Sequence, residues 1–101
     1  MYNVTVSVDE AVHVEWLEWM KGVHIPDVMA TGYFLENRLC RVHGFEEGGI
    51  TYAVQYICSS MKDLEQYQAE QAPGLQADHQ EKFGAHTAAF RTVLEILHEH
   101  E

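Results

Sequence analysis

Ile50-Thr51-Tyr52-Ala53-Val54-Gln55-Tyr56-Ile57-Cys58 is the stretch on which the fold turns. Successive side chains of an extended chain point to opposite faces, so Ile50, Tyr52, Val54 and Tyr56 share one side and Thr51, Ala53, Gln55 and Ile57 the other. The glycine-bearing segment Glu46-Glu47-Gly48-Gly49 precedes it, and Tyr33 to Phe45 reads as a strand pairing back across that turn. Glycine supplies the positive φ that tight hairpins need, which makes this the strongest pairing signal in the chain.

Toward the N-terminus, Tyr2, Val4, Val6 and Val8 alternate with Asn3, Thr5 and Ser7, a strand with one apolar and one small polar face. After Asp9 the period lengthens. Val12, Trp16, Trp19 and Val23 form one stripe and His13, Leu17, Met20 and His24 the next, the pattern of an amphipathic helix with a wide buried face. His24-Ile25-Pro26 should stop or kink it, because the residue before a proline is pushed out of helical geometry, and Thr31-Gly32 reads as a turn. Toward the C-terminus, Ser60 with Asp63 resembles a capping box, and Leu64, Tyr67, Gln71 and Leu75 keep helical spacing. Ala72-Pro73-Gly74 should bend this second helix before it resumes toward Phe83 and stops at Gly84. Ala88, Phe90, Thr92, Leu94 and Ile96 then alternate as the last strand. The order strand, helix, strand, strand, helix, strand has one common solution, an α+β, ferredoxin-like βαββαβ domain whose four-stranded antiparallel sheet carries both helices on one face. Residues 1–97 make that single domain, and 98–101 are expected to be a frayed tail.

The chain has 101 residues, with six Lys and Arg against sixteen Asp and Glu for a net charge of −10. That length buries a core without disulfide or metal. The charge repels phosphate backbones and anionic lipid, so nucleic acid and membrane are not expected partners. No run approaches the roughly 20 apolar residues of a membrane span, and Met1-Tyr2-Asn3-Val4 lacks the features of a signal peptide, so the expected compartment is the cytoplasm. In the hairpin register Cys40 and Cys58 stand about 10–13 Å apart along the strands, too far for a disulfide, and are expected to be reduced and mostly buried.

Two helices cover one side of a four-stranded sheet and leave the other bare. Parity places on the bare side Asn3, Thr5 and Ser7, then Thr51, Ala53, Gln55 and Ile57, then Ala89, Arg91, Val93, Glu95 and Leu97. This mixture is too apolar for a plain solvated surface and too polar for a plain core. It suits two copies packed sheet against sheet, a homodimer enclosing a partly polar barrel, while scattered exposure on a monomer is the alternative.

Trp16-x-x-Trp19-Met20-x-x-x-His24-Ile25-Pro26, Thr31-Gly32-x-Phe34, Thr51-Tyr52-x-Val54-Gln55-Tyr56, Ala72-Pro73-x-Leu75, Lys82-Phe83-Gly84 and Phe90-Arg91-Thr92 together resemble a family of bacterial proteins of about 100 residues known only as a domain of unknown function. The resemblance spans nearly the whole chain. It implies a ferredoxin-like fold in the dimeric α+β barrel group and no particular activity. That group includes cofactor-less monooxygenases, haem-degrading enzymes, sugar mutarotases, muconolactone isomerases and amino-acid-sensing domains.

His24 is the candidate catalytic residue. Beside Pro26 it would close the first helix, where the dipole favours an imidazolium, and serve either as a general acid or base or simply as a helix cap. Arg91 and Glu95, if partly buried in a dimer, must pair with each other, with Gln55, with the mate or with a ligand, and Arg91 suits an anion. Thr51 and Asn3 line the same face. Trp16 reads as core, or as a stacking wall for a flat ligand, and Tyr33 as a helper of His24. No histidine falls at metal-ligand spacing: His13 and His24 would lie about 16 Å apart on one helix. No metal or cofactor is expected. The residues leave two functional readings. One is a non-catalytic dimerising or small-molecule-binding module. The other is a cofactor-less barrel enzyme in which His24, aided by Arg91, Gln55 or Tyr33, acts on a small substrate.

Overall fold

Alternation of large apolar residues places two strands at the centre of the sheet. In the computed structural model, which describes residues 1–44 and 48–100, these are β1 (Tyr2–Asp9) and β3 (Gly49–Ile57). β2 (Glu36–Val42) pairs with the outer edge of β3, and β4 (Thr87–Val93) with the outer edge of β1, giving the order β2-β3-β1-β4 with every pair antiparallel. This is the ferredoxin-like arrangement. Of the turn expected between β2 and β3, Glu46 and Glu47 lie outside the described residues, while Gly48 beyond them has φ +77°.

Between β1 and β2 run α1 (His13–Trp19), one wide turn (Met20–His24) and α2 (Ile25–Ala30); between β3 and β4 run α3 (Met61–Glu70), α4 (Ala72–Phe83) and a short turn, Gly84–His86. Both assemblies pack on one side of the sheet against Tyr2, Val6, Val8, Ile50, Tyr52, Val54 and Tyr56, all buried. Ser60 caps α3 as its sequence announces, its hydroxyl accepting from the Asp63 N–H at 3.1 Å. The second helix bends at Gln71, ahead of Pro73.

The first helix does not end at Pro26. Its Met20–His24 turn is π-helical, with the Ile25 N–H donating to the Met20 carbonyl five residues back. The inserted residue puts Pro26 in the first turn of α2, where an amide hydrogen is not required and a fixed φ is favourable. It also rotates the remainder of the helix, so that Val23 is 46 % exposed instead of continuing the buried stripe. The helix finishes at Thr31, and Gly32 turns the chain at φ +82°.

Three further expectations give way. β2 begins at Glu36 rather than Tyr33, and β4 ends at Val93, so that Leu94 to His100 have no regular structure. Cys40 is exposed, because it pairs with Ala53 on the bare side of the sheet, and Cys58 is half-buried. The parity of β4 is the reverse of that expected. Directly paired residues share a face, and the register sets Val4 opposite Arg91, Val6 opposite Ala89 and Tyr2 opposite Val93. Arg91, Ala89 and Val93 therefore face the helices, and Ala88, Phe90 and Thr92 take the bare face.

Candidate functional site

The reversed strand parity brings Arg91 over a cavity between the sheet and the helices. The cavity is about 50 Å³ and its wall includes Tyr2, His24, Tyr67, Gln76, His79 and Arg91. Five elements contribute these side chains. Tyr2 comes from β1, His24 from the π turn, Tyr67 from α3, Gln76 and His79 from one face of α4, and Arg91 from β4. Val4, Val6, Met20, Val28, Val54, Leu75 and Ala89 supply the apolar part of the wall, and Tyr56 also borders it.

His79 is fixed in one tautomer. The indole Nε1–H of the fully buried Trp16 donates to His79 Nε2 at 2.9 Å. An indole can only donate, so Nε2 must carry the lone pair, and the ring is neutral with its proton on Nδ1. Burial and the Arg91 charge both lower the His79 pKa, in agreement. His24 stacks on Trp19, with ring centroids 5.0 Å apart at 27°, and lies 5.9 Å from the His79 ring. Burial first, and then His79, lower its pKa to about 4, against the smaller opposing pull of Asp27 and Asp78. The Tyr67 phenol is pushed up to about 12 by burial and by Tyr2. Burial also raises Tyr2, whose hydroxyl is engaged by the Arg91 and Gln76 side chains. Burial likewise raises Tyr56, so at neutral pH both histidines and all three tyrosines of the wall are uncharged, and Arg91 is its lasting charge.

A groove of about 380 Å³ continues from this cavity between α4 and β4. Gln76, His79, Ala89 and Arg91 belong to both, so the groove is the route from solvent. Among the described residues no cluster of three or more His, Cys, Asp or Glu is arranged to hold a metal ion, and no helix is long and apolar enough to cross a membrane.

A family model described as a domain of unknown function, DUF4286, matches residues 1–97. The chain belongs to the DUF4286 family. No curated protein matches it. Among solved structures the DUF4286 chain is similar to an ethyl tert-butyl ether d (EthD) family protein from Bacillus halodurans, with 12 % identity and a TM-score of 0.65 over 94 % of this chain and 99 % of that one. At that identity the likeness shows the fold alone. A protein described as a putative PII-like signaling protein from Thermus thermophilus aligns with a TM-score of 0.35 and 14 % identity over 90 % of this chain and 82 % of that one, too slight to argue from.

The geometry of this DUF4286 domain separates residues that parity had grouped. His24 and Arg91 meet at the cavity. Gln55, Thr51 and Asn3 lie on the opposite side of the sheet, since Gln55 pairs with Asn3, and Thr51 with Ser7, on the bare face. Asn3 Oδ1 is buried there without a hydrogen-bond partner, while its Nδ2 donates to Thr5. Tyr33 donates to the Glu70 carboxylate at 2.8 Å, away from the cavity. Trp16 does not reach the cavity but stands behind His79. Glu95 lies past the end of β4 and is exposed, so it is not a partner for Arg91 across the sheet. Nor does His24 cap a helix end: the chain runs on helically through α2, and its ring is held neutral rather than charged. His79, Tyr67 and Gln76 are members of the wall that the sequence pattern did not group. The signal for His79 was present, because the spacing Gln71, Leu75, His79, Phe83 repeats every four residues on the packed face of the second helix.

Proposed function

We propose that this protein is a small-molecule-binding module that acts as a homodimer, with the ligand held inside each protomer between sheet and helices. One observation carries the reading: His24, His79 and Arg91, from three separate elements, converge on one cavity that opens to solvent along the groove between α4 and β4. The site lies within one subunit, so it does not depend on the dimer. The test is thermal stability across a metabolite panel. A ligand present at a hundred times its Kd is expected to add about 2.7 kcal/mol. His24→Phe, which puts a ring without hydrogen-bonding groups in the wall, is expected to remove the response while the far-ultraviolet circular dichroism stays native. No response from any compound, or equal responses from wild type and variant, would overturn the reading.

Homodimerisation is supported by the bare face. Phe90 is 63 % exposed on it, beside an apolar groove of about 380 Å³ that includes Thr5, Val42, Thr51 and Ala88. Sedimentation is expected to give a dimer for the wild type and a monomer for Phe90→Glu, since two facing carboxylates would be buried unpaired. A wild-type monomer at high concentration would remove the dimer and leave the cavity.

A second reading, a cofactor-less enzyme using His24, is favoured by its uncharged ring in a π turn, a feature frequent at functional sites. A pKa of about 4 makes it a proton acceptor at neutral pH and not a donor, and a weak acceptor at that. Binding is therefore the better supported function.

A further inference from the structure

We propose that the ligand of this cavity is a small carboxylate, seated with its anionic end on the Arg91 guanidinium and the His79 Nδ1–H and admitted between α4 and β4 past Ala89. The proposal rests on the small-molecule-binding reading above and adds the chemical class of the ligand.

The inference comes from counting donors, acceptors and charges. In a chain of net charge −10, the wall contains one arginine and no Asp or Glu. Among the described residues Arg91 has no carboxylate partner; the ion pairs shown there are Lys21–Glu18 and His86–Asp9. Asp27 and Asp78 influence His24 from outside the wall and line neither the cavity nor the groove. Trp16 occupies His79 Nε2 and so leaves that ring a donor at Nδ1, for which no acceptor is found among the described residues. The Tyr2 and Tyr67 hydroxyls and the Gln76 amide can donate as well.

A cationic ligand would meet Arg91 and find no counter-charge. A purely apolar ligand would displace water from the exposed Arg91 guanidinium and from the His79 Nδ1–H and offer neither an acceptor in exchange, leaving Arg91, among the described residues, only the Tyr2 hydroxyl. An anion satisfies both. The planar fork of an arginine matches the two oxygens of a carboxylate, and a single positive charge balances a monoanion but not a phosphate dianion. The cavity admits little more than the head of such a molecule. The remainder would lie in the groove, where Ala89 keeps the β4 side low.

The test uses the intact protein at constant ionic strength, with chloride as the balancing ion. Trp16 stands against His79 and Trp19 against His24, so intrinsic fluorescence reports on the site directly. Acetate, propionate and benzoate are titrated against acetamide, propionamide and benzamide, with inorganic phosphate as a further arm, and melting temperature is a second readout. At least one acid is expected to bind saturably and ten-fold or more tighter than its amide. Arg91→Gln is expected to erase that preference, and Ala89→Leu to weaken the larger acids most. Should Arg91→Gln prove unstable, Arg91→Lys, which keeps the charge and loses the fork, is expected to bind the acids more weakly than wild type does. Amides equal to acids, or phosphate tighter than every carboxylate, would overturn the carboxylate assignment and leave the binding reading intact. Absence of binding by acids, amides and phosphate alike would overturn it too, and the metabolite panel then decides whether the cavity binds anything.

Discussion

Trp16→Ala should destabilise the protein by about 4 kcal/mol, a large part of the ~5–15 kcal/mol available to a domain of this size. The side chain is fully buried and stacks on Tyr52 with centroids 4.9 Å apart, so truncation leaves a cavity that the sheet and α4 cannot both close. Trp16→Phe separates packing from chemistry. It keeps a ring and loses the Nε1–H bond to His79, and is expected to cost about 1–2 kcal/mol more than its loss of volume alone. Urea denaturation measures both. The more informative readout is long-range proton–nitrogen NMR of the imidazoles. His79 should carry its proton on Nδ1 in the wild type and on both nitrogens in exchange in Trp16→Phe. An unaltered His79 pattern in that variant would show that the tryptophan does not set the tautomer.

The fold was legible because most of its signals are local and redundant. The alternation of Ile50 to Tyr56, that of Tyr2 to Val8, and the Ser60 cap each specify one element and agree with their neighbours. The site was not legible to the same degree, for two physical reasons. β4 is an edge strand with few buried side chains, and its apolar residue Phe90 faces outward, so alternation alone assigned its faces backwards. Only pairing with β1 settles that register, and pairing is a non-local fact. Pro26 misled in the other direction. A proline ends a regular helix but is tolerated two residues after a π turn, in the first turn of the helix that follows, and no sequence period announces the inserted residue. His24 does line the cavity, but not from the helix-end position that its neighbour Pro26 suggests, and His79 carries no metal-ligand spacing, so that only its place in a packed stripe marks it.

The acid side of the stability profile should be governed by the two cavity histidines. His24 titrates near 6.5 in the unfolded chain and at about 4 in the folded one. Between those values the unfolded chain holds a proton that the folded chain does not, so stability is complete above about pH 6.5 and falls as pH drops toward 4. His79 is shifted in the same direction and adds to the loss. After allowance for partial solvent screening, His24 alone should account for about 2 kcal/mol across that interval. Asp27 and Asp78 favour its protonation and limit the effect, whereas His79 and Arg91 enlarge it. Surface carboxylates also titrate in acid, so the decisive quantity is the difference between wild type and His24→Gln, measured by urea denaturation from pH 7.5 to 4.5. His24→Gln should be the less stable protein at pH 7.5 and should lose ground more slowly, the gap narrowing by about 2 kcal/mol toward the acid end. Parallel profiles would mean that the ring is as free to protonate in the folded protein as in the unfolded one. A carboxylate seated on Arg91 would set negative charge near the same ring and raise its pKa, so saturating ligand should shallow the acid decline of the wild type and leave that of His24→Gln less altered.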